Sequence, residues 1–196
     1  MKSSGGSIDD VIPDVVVIDT CVLLSNVLRD LLLGLARQAY FRPAWSAIIG
    51  DEWRRNGARI WGIELSEVRD QWAVLQSAFP EADQGDIRPY KTGLHRSDPK
   101  DWHVIAAARA ARANSSASSV AVLTRNIKDF NRSELRGLGL GLFDPDRFLV
   151  RCWGRCPALM RHLMEQIRAD GEPLDVILKR ERLFRLNRIC SSKMDP

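Results

Sequence analysis

Asp19, Glu52, Asp101 and Asp129, with Asn126 close to the last, are the residues of this chain whose types could do chemistry together. Carboxylates drawn into one small space repel one another unless a cation separates them. Hard oxygen ligands of this kind suit Mg²⁺ or Mn²⁺. No His or Cys set with ligand spacing accompanies them, so a divalent-metal site is the first expectation. Each acid also has a simpler reading. Asp19 could end a strand and cap the next helix, and Glu52 could be a solvated helix charge beside Arg55 and Arg59. Asp98, Pro99 and Asp101 form a capping-box-like helix start, where an acid is favoured whatever the protein does. Asn126 and Asp129 could be ordinary turn residues. No single residue decides between these readings.

The elements that must position these side chains follow from the apolar pattern. The β-branched run at 14–19, stopped by an acid, suits a strand buried on both faces of a parallel sheet. Helical spacing follows over 22–40, then over 46–59 and 64–79, the last ending at Pro80. Residues 81–97 lack periodicity and read as loop. An Ala-rich helix opens at Pro99 and runs to about residue 113. Residues 120–124 and 138–143 read as a second and third strand, and Asp144-Pro145-Asp146 opens a further helix. Strands alternating with helices imply an α/β fold with a parallel sheet covered by helices. Such sheets collect ligands at the carboxyl ends of their strands. The first strand delivers Asp19 and Thr20 there, and the second delivers Thr124, Arg125 and Asn126, with Asp129 just beyond.

Cations surround these positions. Arg54, Arg55 and Arg59 share the helix of Glu52, and Arg125 and Lys128 flank Asn126. Cations rimming an acid pocket would attract phosphates that bare carboxylates repel, though each could equally belong to a solvated face. His103 could touch substrate or be a packed, hydrogen-bonded histidine. Two other patterns carry little. Gly137, Gly139 and Gly141 are badly spaced for a dinucleotide loop and lead into a strand rather than a helix. Cys152 and Cys156, with His162 and Cys190 farther on, are too scattered for a zinc site and read as free thiols.

The chain has 196 residues, 45% apolar and 28% charged, with 29 Lys and Arg against 25 Asp and Glu, giving a net charge of +4. That composition excludes a disordered, collagen-like or low-complexity chain. Four Cys without framework spacing fit a reducing compartment. No signal-peptide pattern and no run of ~20 apolar residues is present, so a cytoplasmic protein that does not span a membrane is expected. The organisation expected is a flexible leader over 1–13, a domain over 14–150, and a helical, basic extension over 151–196. The segment 179–188 is basic and amphipathic, suited to binding RNA, to packing on the domain or to meeting a partner.

Four segments taken in order resemble a known family. Val17-Ile-Asp-Thr-Cys-Val-Leu-Leu24, Ser46-Ala-Ile-Ile-Gly-Asp-Glu-Trp53, Asp98-Pro-Lys-Asp-Trp-His-Val-Ile-Ala-Ala-Ala108 and Leu123-Thr-Arg-Asn-Ile-Lys-Asp-Phe130 are similar to the motifs of PIN-domain ribonucleases. The match is nearest the VapC-like branch with an Asp-Pro-x-Asp-x-His-Val helix start, and it covers about residues 15–149. The resemblance implies a PIN-like three-layer fold and an Mg²⁺- or Mn²⁺-dependent endoribonuclease. It implies Asp19, Glu52 and Asp101 as the first three acidic positions, with Asn126 or Asp129 as the fourth. Thr20 and Thr124 are implied to orient the acids, while Cys21 departs from the more frequent Asn. A toxin of a type II toxin–antitoxin pair is the expected role, with RNA as substrate, a cognate antitoxin blocking the pocket, and a possible homodimer. The alternative is a catalytically silent PIN-like module that binds RNA or protein.

Overall fold

The computed structural model describes residues 11–168 and 171–193, so most of the leader expected over 1–13 lies outside the described residues. Val15–Ile18 forms β1, a run of β-branched residues with every side chain buried. It pairs in parallel with β2 (Arg42–Ala44) on one side and with β3 (Val120–Leu123) on the other. β3 in turn pairs in parallel with β4 (Leu140–Phe143), giving the order β2-β1-β3-β4. Successive strand residues face opposite ways, so the complete burial of β1 and β3 means that both faces of the sheet are covered. The molecule is therefore α/β with an all-parallel sheet, as the alternation of patterns predicts.

β2 was not legible as a strand, because three residues including Pro43 show no period. Proline is tolerated there because β2 is an edge strand. The chain leaves β1 toward β2 on one side and later returns to place β3 on the other. The topological switch point therefore lies between the carboxyl ends of β1 and β3. In register, Ile18 lies opposite Leu123, so Asp19 and Thr124 leave the sheet side by side.

The helix expected over 22–40 is two helices, α1 (Thr20–Leu23) and α2 (Asn26–Arg37). The break comes at Ser25, whose hydroxyl accepts a hydrogen bond from the Leu28 N–H at 3.1 Å and caps α2. Ser46 caps α3 (Ala47–Trp61) in the same way, and α4 (Leu65–Ala78) follows. Residues 81–97 are irregular except for a 3₁₀ turn at Arg88–Lys91 and a bridge from Trp45 to Asp83. A 3₁₀ turn, Pro99–Asp101, leads into α5 (Trp102–Asn114). After β3, α6 (Arg132–Gly137) precedes β4; its six residues are too few to show a helical period in sequence.

α7 (Pro145–Arg155) runs through residue 150, where the extension was expected to begin. α8 (Pro157–Gln166), α9 (Leu174–Arg180) and α10 (Phe184–Lys193) complete the described chain. Trp153, Met160, Leu163, Leu183 and Leu186 are buried in the same apolar core as the strands. Gly34 of α2 faces α8 so closely that a Cβ there would stand 2.5 Å from Leu163 Cδ2. Among the described residues, no helix is long and apolar enough to cross a membrane.

Candidate functional site

Asp19 is the first residue beyond β1 and is 4% exposed. It occupies the cap position of α1, yet its side chain makes no capping hydrogen bond. The carboxylate instead receives the Thr124 hydroxyl at 2.6 Å and the Cys21 thiol at 3.0 Å, both on Oδ2. Oδ1 takes no protein donor among the described residues. Thr124 is fully buried and also accepts from the Asn126 N–H at 3.0 Å, which fixes its hydroxyl hydrogen toward Asp19. Cys21 adds a second tie by accepting from the Arg125 N–H at 3.3 Å. Burial, the negative charge of Asp19 and its hydrogen bond push the thiol up to about 12, so it stands as a neutral donor.

Glu52 projects from the second turn of α3 and is half-buried. Its Oε2 receives the Thr20 hydroxyl at 2.9 Å and faces His103 Nε2 at 3.3 Å. His103, from the first turn of α5, is 5% exposed, so it lies beneath the surface. Its Nδ1 lies 2.8 Å from the Lys100 carbonyl oxygen, which can only accept. A neutral ring with that bond would turn the Nε2 lone pair toward the Glu52 carboxylate. The imidazolium removes that clash, with Nε2–H placed for charge attraction although it lacks hydrogen-bond alignment. Burial opposes both charges, but the pairing outweighs it: Glu52 is held below and His103 above its ordinary value.

Asp98, and not Asp101, performs the helix-start role, accepting from the Lys100 N–H at 2.9 Å. The Asp101 side chain makes no cap bond and is half-buried. Burial first, then the negative charges of Asp19 and Asp129, push the Asp101 carboxyl up to about 6, against the pull of His103. Asp129 reaches this neighbourhood because Ile127–Asp129 is a 3₁₀ turn, with the Asp129 N–H bonded to the Asn126 carbonyl at 2.9 Å. The Asp129 carbonyl accepts from the Asp98 N–H at 2.8 Å, tying this turn to the start of α5. Asn126 is exposed, and its side chain has no partner among the described residues.

At the carboxyl edge of β1 and β3, Asp101 thus lies within charge range of Asp19 and Asp129, and Glu52 is joined to them through His103, which feels both Glu52 and Asp19. Among the described residues, Asp19 and Glu52 each keep one oxygen without a protein donor, and Asp101 and Asp129 keep both. Among the described residues, no three His, Cys, Asp or Glu side chains are arranged to hold a metal ion as they stand. Mg²⁺ keeps several of its waters and takes only one or two carboxylates directly. An open donor set with free, mutually repelling oxygens is therefore compatible with a hydrated divalent ion.

The cations are less uniform than the sequence suggests. Arg55 and Lys128 are exposed, and Arg55 lies near enough to Glu52 to lower its carboxyl. Arg125 is committed to an ion pair with Glu181, whose carboxylate also accepts from the Ser25 hydroxyl at 2.8 Å. Sequence gave no warning of that clamp, because its partners lie 56 and 156 residues apart. The Cys21 donor was equally hidden; the only signal was its place two residues after Asp19. No family model matches this chain, and comparison with curated proteins and with solved structures returns no match.

Proposed function

We propose that this protein is a divalent-metal-dependent endoribonuclease whose site is the acid cluster of Asp19, Glu52, Asp101 and Asp129. The observation that carries this reading is the grouping of Asp19, Asp101 and Asp129 at the switch point of a parallel sheet, with Glu52 joined through His103 and carboxylate oxygens left unbonded among the described residues. Asp19 Oδ1, the free Glu52 oxygen, Asp101 and Asp129 would hold Mg²⁺ or Mn²⁺, with Asn126 at the pocket mouth. Such an ion supplies charge neutralisation at the scissile phosphate and lowers the pKa of a water. Thr124 and Cys21 fix the rotamer of Asp19, and Thr20 and His103 fix that of Glu52, so the free oxygens are presented without reorganisation. Arg55 and Lys128 draw the phosphate backbone toward a pocket that would otherwise repel it.

The sequence resemblance to VapC-like PIN-domain ribonucleases extends the proposal to a toxin acting on cellular RNA in the cytoplasm. A cognate antitoxin that covers the pocket, and a homodimer, belong to the same reading. The test is cleavage of RNA by the purified protein with Mg²⁺, with Mn²⁺ and with a chelator, beside Asp19→Asn. Cleavage that needs metal and disappears in Asp19→Asn is expected. RNA binding without cleavage under any metal would instead fit the silent binding module, and cleavage persisting in Asp19→Asn would refute the site.

A further inference from the structure

The tail segment 179–188 packs on the domain by one face only. Leu183, Leu186 and Cys190 are buried, while Phe184, at the start of α10, stays 58% exposed. Phe184 and Arg188 are four residues apart and so share a helix face. Arg182 precedes them in a left-handed turn, φ 60°. The neighbouring cations are neutralised: Lys179 by Asp175 at 2.9 Å, Arg180 by Glu172 at 2.7 Å, and Arg185 lies 3.6 Å from Asp146. Arg182 and Arg188 have no ion pair among the described residues. An exposed aromatic ring thus has one arginine without an ion pair two residues before it and another one helical turn after it.

This face is also fixed in place. Glu181, the residue before Arg182, is gripped by Ser25 after α1 and by Arg125 after β3. Arg125 follows β3 directly at that carboxyl edge, where its N–H bonds the Cys21 sulfur beside Asp19, so the turn from α9 to α10 is anchored beside the acid cluster. Resting on the nuclease reading above, we propose that Arg182, Phe184 and Arg188 form a subsite for single-stranded RNA beside that pocket. The Phe184 ring offers a face on which an unpaired base stacks, and the two arginines hold the adjoining phosphates. A duplex does not fit this chemistry, because its bases already stack on one another.

The test uses the full chain in chelator, so that binding is read without cleavage, with a short labelled single-stranded RNA and its duplex followed by fluorescence anisotropy. The wild type is expected to bind the single strand more tightly than the duplex. Phe184→Ala should weaken single-strand binding about tenfold with unchanged duplex binding and unchanged melting temperature. Phe184→Trp should restore affinity, and its additional indole emission should be quenched by the RNA. Replacing Arg182 and Arg188 together with Ala should flatten the salt dependence of log K by about 1.4, two phosphate contacts' worth.

Wild-type affinity in Phe184→Ala, or an equal loss on duplex, overturns the proposal. So does a Phe184→Ala variant that turns a dimer into a monomer with RNA affinity intact, since the face would then be a protein interface. Metal-dependent cleavage together with unaltered Phe184→Ala binding removes this inference alone. A wild type that neither binds nor cleaves RNA removes the nuclease reading with it.

Discussion

At the scale of single residues, the unequal use of carboxylate oxygens sets the expectations. Among the described residues no hydrogen-bond donor reaches the Asp101 side chain, and burial with Asp19 and Asp129 raises its carboxyl to about 6. A raised carboxyl pKa means that the folded state binds the proton more tightly than the unfolded chain. The ionised form therefore costs stability above pH 6, and the cost vanishes below about pH 4, where both states are protonated. Asp101→Asn should stabilise the metal-free protein at pH 8 by about 1–2 kcal/mol, after discounting for the partial exposure of the group. Urea denaturation in chelator at pH 8 and at pH 3.5 measures it, and a gain that persists at pH 3.5 would contradict the electrostatic cause. The same crowding separates Asp129 from Asn126. Asp129 acts on the Asp101 carboxyl, whereas the Asn126 side chain is exposed and unengaged. Asp129→Asn is expected to weaken Mn²⁺ binding more than Asn126→Ala in isothermal titration; the reverse order would make Asp129 a turn residue only.

At the scale of elements, the start of α5 is held by a buried anchor that is itself not part of the acid cluster. Glu134 of α6 accepts from three successive backbone N–H groups, those of His95, Arg96 and Ser97, at 2.8, 3.0 and 2.9 Å. The Ser97 hydroxyl adds a fourth bond at 2.6 Å. Burial would raise the carboxyl, but these donors outweigh it and hold Glu134 down at about 2. The chain that enters Asp98 and Pro99 is thereby fixed, and with it the position of Asp101. A depressed carboxyl pKa contributes stability above the unfolded value and loses it as pH falls through the folded one. Glu134→Gln should therefore cost about 3 kcal/mol at pH 7, with the penalty shrinking between about pH 4.5 and pH 2. Chemical denaturation of both proteins at pH 7 and pH 3 decides this, and a pH-independent difference would assign the loss to packing instead.

At the scale of the whole molecule, the C-terminal helices and the sheet share one core. Residues 151–193 supply Cys152, Trp153, Met160, Leu163, Leu183 and Leu186 to it, and Gly34 of α2 lets α8 approach. Truncation after Val150 also cuts α7 in its middle and leaves the partners of those side chains facing water. Burial of a large apolar side chain contributes about 1.5–3 kcal/mol, so the sum exceeds the ordinary margin of a domain. The truncated chain is expected to be insoluble or molten. A soluble fragment with cooperative melting would show that residues 14–150 are self-sufficient.

What the sequence determined by itself was whatever depends on near neighbours. The β-branched run 15–18 becomes a strand wherever both faces are covered, and Ser46 and Pro99 open helices through local backbone chemistry. The delivery of Asp19 and Thr124 to one edge followed from strand ends alone. Short elements escaped, because the three residues of β2 and the six of α6 are below one clear period. Only tertiary structure decided the roles of side chains at long separation. The β1–β3 register sets Thr124 against Asp19 across 105 residues, and α5 carries His103 to Glu52. Glu181 claims Arg125 from 56 residues away. Local propensity carries no information about such pairings, since a hydrogen bond or ion pair is specified by position in space, and that position is fixed only when the core closes.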